Sequence, residues 1–191
     1  ICEGDSLVLE FSGPGYINGY SYGGYFNGSY YYASNSIDSW TNNNNNANAN
    51  GGHLVTINSQ QENDFVQSVV LQFDLSGGGA HIGCTDSQSE GSWLWSNGET
   101  FGYSNWSPTG EPSNSFGGEN YGQMYISGFW NDCRDNSSSD SHIGILEIED
   151  FGNLKTFLWS PGGETTSSIT AQPTTTTTYT VDVTSGSTTC T

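Results

Sequence analysis

Carboxylate, amide and hydroxyl oxygens are the chemistry this chain offers in quantity. Acidic and amide side chains recur in short motifs from Thr85 to Glu149: Thr85-Asp86, Glu90-Gly91, Gly110-Glu111-Pro112-Ser113-Asn114, Glu119-Asn120, Trp130-Asn131-Asp132 and Leu146-Glu147-Ile148-Glu149. Twenty acidic residues face two basic ones, Arg134 and Lys155, giving a net charge of −18 over 191 residues. Such a surface repels phosphate backbones, which argues against nucleic acid as a partner. It also lacks the basic patch that an anionic membrane surface attracts. Cations are the natural small partners, and calcium comes first because hard oxygens are its ligands.

Other chemistries find little support. There is no Gly-rich phosphate loop, and no nucleophile stands at a telling spacing from a base. Glu147 and Glu149 fall on one face of a strand-like segment, as a glycosidase pair might, but alternating acids on a strand face are ordinarily solvated, and no enzyme is expected. The four cysteines, Cys2, Cys84, Cys133 and Cys190, form no C-x-x-C pair, which argues against a zinc ribbon. An even, scattered count suits two disulfides in an oxidising compartment, with three pairings open. No apolar run approaches the roughly 20 residues of a membrane span, so no membrane insertion is expected. The first residue is Ile1, without a signal-like apolar stretch, and the chain reads as a processed or excised segment.

Elements must position these groups. The abundance of Gly, Asn, Ser, Thr and Tyr favours turns and strands over long helices. Ser59 with Glu62 three positions on is a capping box, and Phe65, Val66, Val69 and Val70 make a helical stripe, predicting a helix from Gln60 to about Leu71. The Asn42–Asn46 tract is a poor helix former, at about 0.6 kcal/mol per Asn relative to Ala, so a helix there needs tertiary support. His53 to Ile57 reads as a strand or extended link, and Asn97-Gly98 as a hairpin-type turn. Leu7 to Phe11, Thr156 to Trp159, Ser168 to Ala171 and Tyr179 to Val183 alternate as strands. Ser160-Pro161-Gly162-Gly163 is turn chemistry, and the β-branched run Thr174 to Thr178 is expected to be a strand edge.

The two ends resemble a repeat of secreted bacterial surface proteins, an immunoglobulin-like sandwich. The matching pieces are Ile1-Cys2-Glu3-Gly4-Asp5-Ser6, the stretch Trp159 to Thr170, and Pro173 to Val181 with Cys190. The resemblance implies a discontinuous β-sandwich of residues 1–13 and 153–191 holding the middle as an insertion, and a Cys2–Cys190 disulfide. The two pieces fall short of the roughly 100 residues usual for such a sandwich. A self-sufficient small sandwich and one completed by a strand from a neighbouring copy are the two alternatives.

The middle, residues 14–152, resembles the C-type lectin domain, an α+β fold. The resemblance rests on Gly51-Gly52-His53-Leu54-Val55-Thr56-Ile57 with Glu62-Asn63, on Trp93-Leu94-Trp95 and Trp106, and on the ordered motifs from Gly110 to Asp132. Glu119 lies eight positions after Glu111, and Asn131 and Asp132 lie twenty and twenty-one after it, the offsets of the family's calcium site. The resemblance implies Glu111, Ser113, Glu119, Asn131 and Asp132 as Ca2+ ligands, with Ser113 standing where the family has Asn or Asp and offering a poorer oxygen. Glu111, Glu119 and Asn131 would also hydrogen-bond sugar hydroxyls, so glycans are the implied partners and Pro112 the implied cis proline. An auxiliary site matches Asp86 and Glu90, but Asn114 and Asn120 replace two acids there and weaken it. The family's usual disulfides have no cysteines here; Cys84 and Cys133, expected on neighbouring strands, are predicted to form a non-standard bond, with two buried free thiols as the alternative.

The bland readings are that Trp93, Trp95, Trp106 and Trp130 build the core, that His53 is structural, and that the tyrosines between Tyr16 and Tyr32 are a strand region rather than a sugar-stacking surface. The implied protein is a secreted, extracellular or cell-surface calcium-dependent glycan binder, adhesin-like in role. Its rival is a structural subunit of an extracellular filament assembled by strand complementation, with a non-binding lectin-like fold. Asn27, Asn105 and Asn136 lie in N-x-Ser sequons.

Overall fold

The computed structural model describes residues 7–10, 16–74, 78–115, 117–135, 139–149, 155–166 and 168–185. Cys2, Cys190 and Asn136 lie outside them, so the expected Cys2–Cys190 bond falls on no described residue. In chain order the elements are β1 (Leu7–Glu10), β2 (Tyr20–Phe26), β3 (Ser29–Ser34), α1 (Trp40–Ala49), β4 (His53–Leu54), α2 (Gln60–Phe73), β5 (Ala80–Thr85), β6 (Leu94–Trp95), β7 (Tyr121–Met124), β8 (Trp130–Cys133), β9 (Ile143–Glu149), β10 (Lys155–Ser160), β11 (Ser168–Ala171) and β12 (Thr180–Ser185). They fall into two compact units, one made of the chain ends, residues 1–15 and 151–191, and one of Tyr16–Asp150.

In the unit of the ends, β1 pairs antiparallel with β11, Leu7 opposite Ala171, and β10 pairs antiparallel with β12, Lys155 opposite Ser185. Trp159, Ile169 and Ala171 are buried. A turn follows Ser160, and Trp159 donates its indole N–H to the Thr166 carbonyl at 2.9 Å. The Thr174–Thr178 run is exposed and forms no strand, correcting the expected strand edge. β-Branched residues favour a strand only when a partner and a buried face are on offer.

The larger unit is an α+β body around one mixed sheet in the order β2-β3-β9-β5-β7-β8, with β4 added to β9 and β6 to β5. β2 and β3 form a hairpin whose turn, Asn27-Gly28, has positive φ at both residues (45° and 98°), which Asn and Gly tolerate best. β5 and β9 run parallel, Ala80 opposite Ile143. Gly98 also has positive φ (88°) and closes a turn onto the Trp95 carbonyl at 3.1 Å, but no paired strand follows, so the expected hairpin is a turn alone.

Helix α2 begins as its sequence signals. The Ser59 hydroxyl accepts from the Glu62 amide at 3.2 Å, while the Glu62 carboxylate reaches back to the Asn58 amide at 2.8 Å, one residue earlier than the reciprocal box requires. Val66, Val69 and Val70 are buried against the sheet, and the helix runs on to Phe73, past the expected end. The Asn-rich tract is helical too, as α1, and the support it needed comes from tertiary contacts. Ser39 caps its first turn, Trp40 donates to the Ile82 carbonyl at 2.7 Å, and the Thr41 amide bonds Asp135. Asn43, buried, donates to the ring of His81 at 2.9 Å and to the His142 carbonyl at 2.9 Å.

Trp130 is the centre of the core. It is fully buried, donates to Asn63 Oδ1 at 2.8 Å, and meets the rings of Trp95, Phe101, Tyr103 and Trp106. Edge-to-face contacts of this kind add about 0.5–1.5 kcal/mol per pair beyond area burial. Trp93 and Trp106 pack partly buried at its margin, so the four tryptophans build the core.

The expected Cys84–Cys133 bond is not formed: both thiols are free and buried. The two residues are not on neighbouring strands, because β7 runs between β5 and β8. The Cys84 sulfur instead lies over Gly122 of the intervening strand, where a Cβ would collide with it. Two strand spacings amount to ~9.6 Å at ~4.8 Å each, beyond the ~7 Å between Cα atoms that a disulfide bridges. Burial pushes both thiols well above their usual range. Peptide mapping without reductant should therefore recover Cys84 and Cys133 unlinked, both reacting with a thiol reagent only after denaturation. A linked pair, or fast labelling of the native protein, would contradict this arrangement.

Candidate functional site

Four of the five expected ligands, Glu111, Ser113, Glu119 and Asn131, line one cleft of about 460 Å³. The fifth, Asp132, lies beside it, 2% exposed. The cleft is built where the loop of residues 111–119 folds against β7 and β8. The Glu111–Pro112 bond is cis, as expected.

Asp132 holds this loop. Its Oδ1 accepts from the Ser113 amide at 3.0 Å and its Oδ2 from the Asn114 amide at 2.7 Å. Asn114, at φ 44°, then accepts the Glu119 amide on Oδ1 at 3.2 Å and donates Nδ2 to Glu90 at 2.7 Å. Glu111 and Glu119, eight residues apart in sequence, are thereby turned toward one space. Ser113 Oγ accepts from the Ser115 hydroxyl at 2.7 Å. Asn131 donates Nδ2 to Gln123 Oε1 at 3.1 Å and to the Asp132 carbonyl, which leaves its Oδ1 as the atom able to ligate. Both N–H donors of this amide are thus engaged, so a sugar hydroxyl at Asn131 must compete with Gln123.

The electrostatics of the cleft are one-signed. Burial first, and the neighbouring Asp132 carboxylate next, raise the Glu111 carboxyl above its ordinary value. Glu111 Oε2 is buried without a hydrogen-bond partner. Carboxylates drawn this close, with an orphaned oxygen among them, lower their energy by sharing a cation.

The auxiliary set is close by in the same loop system. Asp86 is 2% exposed; its Oδ2 accepts from the Gly91 amide at 2.7 Å, and its Oδ1 is buried with no partner. Glu90 is tied to Asn114, and the Asn120 carbonyl accepts from the Asp86 amide at 3.1 Å and from Thr85 Oγ1 at 2.7 Å. Sequence reading missed Gln123, Asp140 and His142, which also line the cleft. Their signal was weak, since Gln123 lies mid-strand and Asp140 in a polar loop. Asp140 is paired with Arg134 at 3.1 Å.

Glu147 and Glu149 differ in environment. Glu147 is buried and accepts from Tyr31 Oη at 3.2 Å and the Thr56 amide at 3.2 Å, whereas Glu149 is exposed. The expected tyrosine-rich region is split likewise: Tyr31 and Tyr32 are core residues, while Tyr16, Tyr22 and Tyr25 are exposed.

The profile of the Lectin C-type domain matches residues 36–141, more than half the chain, and the chain belongs to that family. It is 45% identical over 85 residues to the low affinity immunoglobulin epsilon Fc receptor of Mus musculus, a match covering 44% of this chain and 24% of the receptor. It is 30% identical over 84 residues to the galactose-specific lectin nattectin of Thalassophryne nattereri, covering 44% of this chain and 52% of that protein. The chain thus spans a quarter to a half of the length of these relatives. Among solved structures, the cow CD23 carbohydrate-recognition domain, determined with a GlcNAc2Man3 oligosaccharide, matches with a TM-score of 0.59 at 29% identity, covering 71% of this chain and 96% of that one. A calcium-independent type II antifreeze protein matches with a TM-score of 0.56 at 23% identity, covering 70% and 93%, a likeness of fold alone.

Asp132→Ala removes the acceptor of two loop amides, each costing about 1–3 kcal/mol when left unsatisfied. The variant should stay folded, with amide exchange at Ser113 and Asn114 accelerated and Trp130 protection retained. Unchanged exchange in the loop would show that Asp132 does not hold it.

Proposed function

We propose that this chain is an extracellular, calcium-dependent carbohydrate-binding domain whose metal is held by Glu111, Glu119, Asn131 and Asp132, with Ser113 as a weaker oxygen. The observation that carries this reading is the buried, partnerless Oε2 of Glu111 in a cleft shared with Glu119 and Asn131. The donor set fits a hard divalent cation, since it is all oxygen and contains three carboxylates. Bound there, calcium would accept two vicinal sugar hydroxyls into its remaining coordination positions.

The chain's own residues do the rest. Glu111 and Glu119 accept hydrogen bonds from those hydroxyls while facing the metal. Asn131 supplies its carbonyl oxygen, oriented by Gln123. Asp132 anchors the loop and keeps the carboxylates convergent before any ligand arrives, which reduces the ordering cost of binding. A serine hydroxyl at 113 is shorter and less polar than an amide carbonyl and donates no second hydrogen bond to sugar, so affinity for both metal and glycan is expected to be modest. At the neighbouring Asp86 and Glu90, two amides in place of acids reduce the charge, so one calcium dominates.

A second reading concerns the unit of the chain ends. We infer that it is the discontinuous immunoglobulin-like part, carrying the lectin domain as an insertion in a surface or adhesin-like protein. Among the described residues its strands form two separate pairs, β1–β11 and β10–β12. Pairs with open edges favour completion by a strand from a neighbouring copy. Sedimentation of the full chain over a wide concentration range should then show self-association, slowed by proline placed in β12. A strict monomer at high concentration would remove the filament role.

For the principal reading, calorimetric titration of calcium into chelator-stripped protein should give about one saturable ion, weakened at least ~10-fold, about 1.4 kcal/mol, in Glu119→Ala. Retention on immobilised glycans should be lost on chelation. No calcium binding by the parent chain would leave the fold standing and remove the calcium-dependent reading.

A further inference from the structure

We propose a second cation site, of the borderline transition-metal class typified by Zn2+, made by His53, Glu99 and Glu149. These residues share none of the ligands of the cleft. A ring nitrogen of His53 and one carboxylate oxygen from each glutamate lie within 4.8 Å of one another. His53 stands on β4 opposite Glu147 of β9, Glu149 lies two residues further along β9, and Glu99 follows the Asn97-Gly98 turn. The β4–β9 pairing brings His53 near the end of β9, and hydrogen bonds from Asn58 and Thr56 hold Glu99 beside them.

The hydrogen bonding assigns the ring. Nδ1 of His53 lies 3.0 Å from the Leu54 carbonyl, and a carbonyl only accepts, so Nδ1 carries the hydrogen. In the neutral ring Nε2 then holds the lone pair, and Nε2 is buried with no partner. A carbonyl that fixes one ring nitrogen and so presents the other is the usual support of a metal-bound histidine. Glu99 is oriented in the same way, by Asn58 Nδ2 at 2.7 Å, Asn97 Nδ2 at 2.8 Å and Thr56 Oγ1 at 3.3 Å. Glu149 is exposed and, among the described residues, pairs with no basic side chain.

The three groups therefore bring one bare ring nitrogen and two carboxylates to one place. A shared cation would satisfy the bare His53 nitrogen and draw the two carboxylates together. An imidazole among them selects zinc-like ions over calcium, which prefers an all-oxygen shell. Ligand bonds of about 2.0–2.2 Å from histidine nitrogen and carboxylate oxygen are compatible with donor atoms gathered this closely. Three protein ligands leave a position for water or for a ligand atom from a bound partner.

The test uses the full, tag-free chain saturated with calcium, titrated with Zn2+ against a chromophoric chelator, and with Co2+ read by its visible absorption. One zinc equivalent is expected, with a Co2+ spectrum of low coordination number. His53→Gln and Glu149→Gln should each weaken zinc at least about tenfold, whereas Glu119→Ala should leave zinc binding intact while losing calcium. Glu149 is exposed, so its variant decides the matter even where His53→Gln fails to fold. Absence of zinc binding, or zinc affinity unchanged in Glu149→Gln, overturns the proposal. Either result is independent of whether calcium binds the cleft.

Discussion

Asp132 is the side chain on which the candidate site depends. It projects from a strand whose preceding residue but one, Trp130, is locked in the centre of the core, and its two oxygens take the amides of Ser113 and Asn114. A long loop with little regular structure is thus referenced to the most rigid part of the molecule. Without such a reference the carboxylates of Glu111 and Glu119 would repel and separate. With it both face one cleft, where burial first and the Asp132 carboxylate next raise the Glu111 carboxyl above its ordinary value and one Glu111 oxygen stays buried and unpartnered.

A second buried polar network supports the opposite wall. Burial lowers the pKa of His81 to about 3, with His142 adding to the effect, so the His81 ring is neutral. Its Nδ1 accepts from Asn43 of α1 and its Nε2 donates to the Asp140 carbonyl at 3.1 Å. A helix of poor intrinsic propensity is stabilised by this network, and the network in return fixes the backbone of a residue lining the cleft. Local preference and tertiary contact are in conflict over α1, and contact wins because each buried hydrogen bond is worth more than the ~0.6 kcal/mol disfavour of one Asn.

With two basic residues against twenty acids, carboxylates find backbone amides, hydroxyls and side-chain amides as partners, as Glu147 does with Tyr31 and Thr56. Where such donors run out, at Glu111, at Asp86 and at His53, a buried acceptor atom is left bare. This charge composition is consistent with the proposed preference for cations.

The sequence by itself determined the family, the order of the motifs, the start of α2, the tryptophan core and four of the residues that line the cleft, Glu111, Ser113, Glu119 and Asn131. These are legible because they depend on spacing along the chain and on side-chain type. What only the tertiary structure decided depends on which strands become neighbours. The insertion of β7 between β5 and β8 separates Cys84 from Cys133 and leaves two thiols where a bond was expected. The burial of Asn43 makes a helix of an asparagine tract, and Thr174–Thr178 finds no strand partner among the described residues. The pairing of β4 with β9 brings His53 to Glu149, a meeting with no trace in spacing. Sheet order is a property of the closed fold, and the chain's local preferences do not contain it.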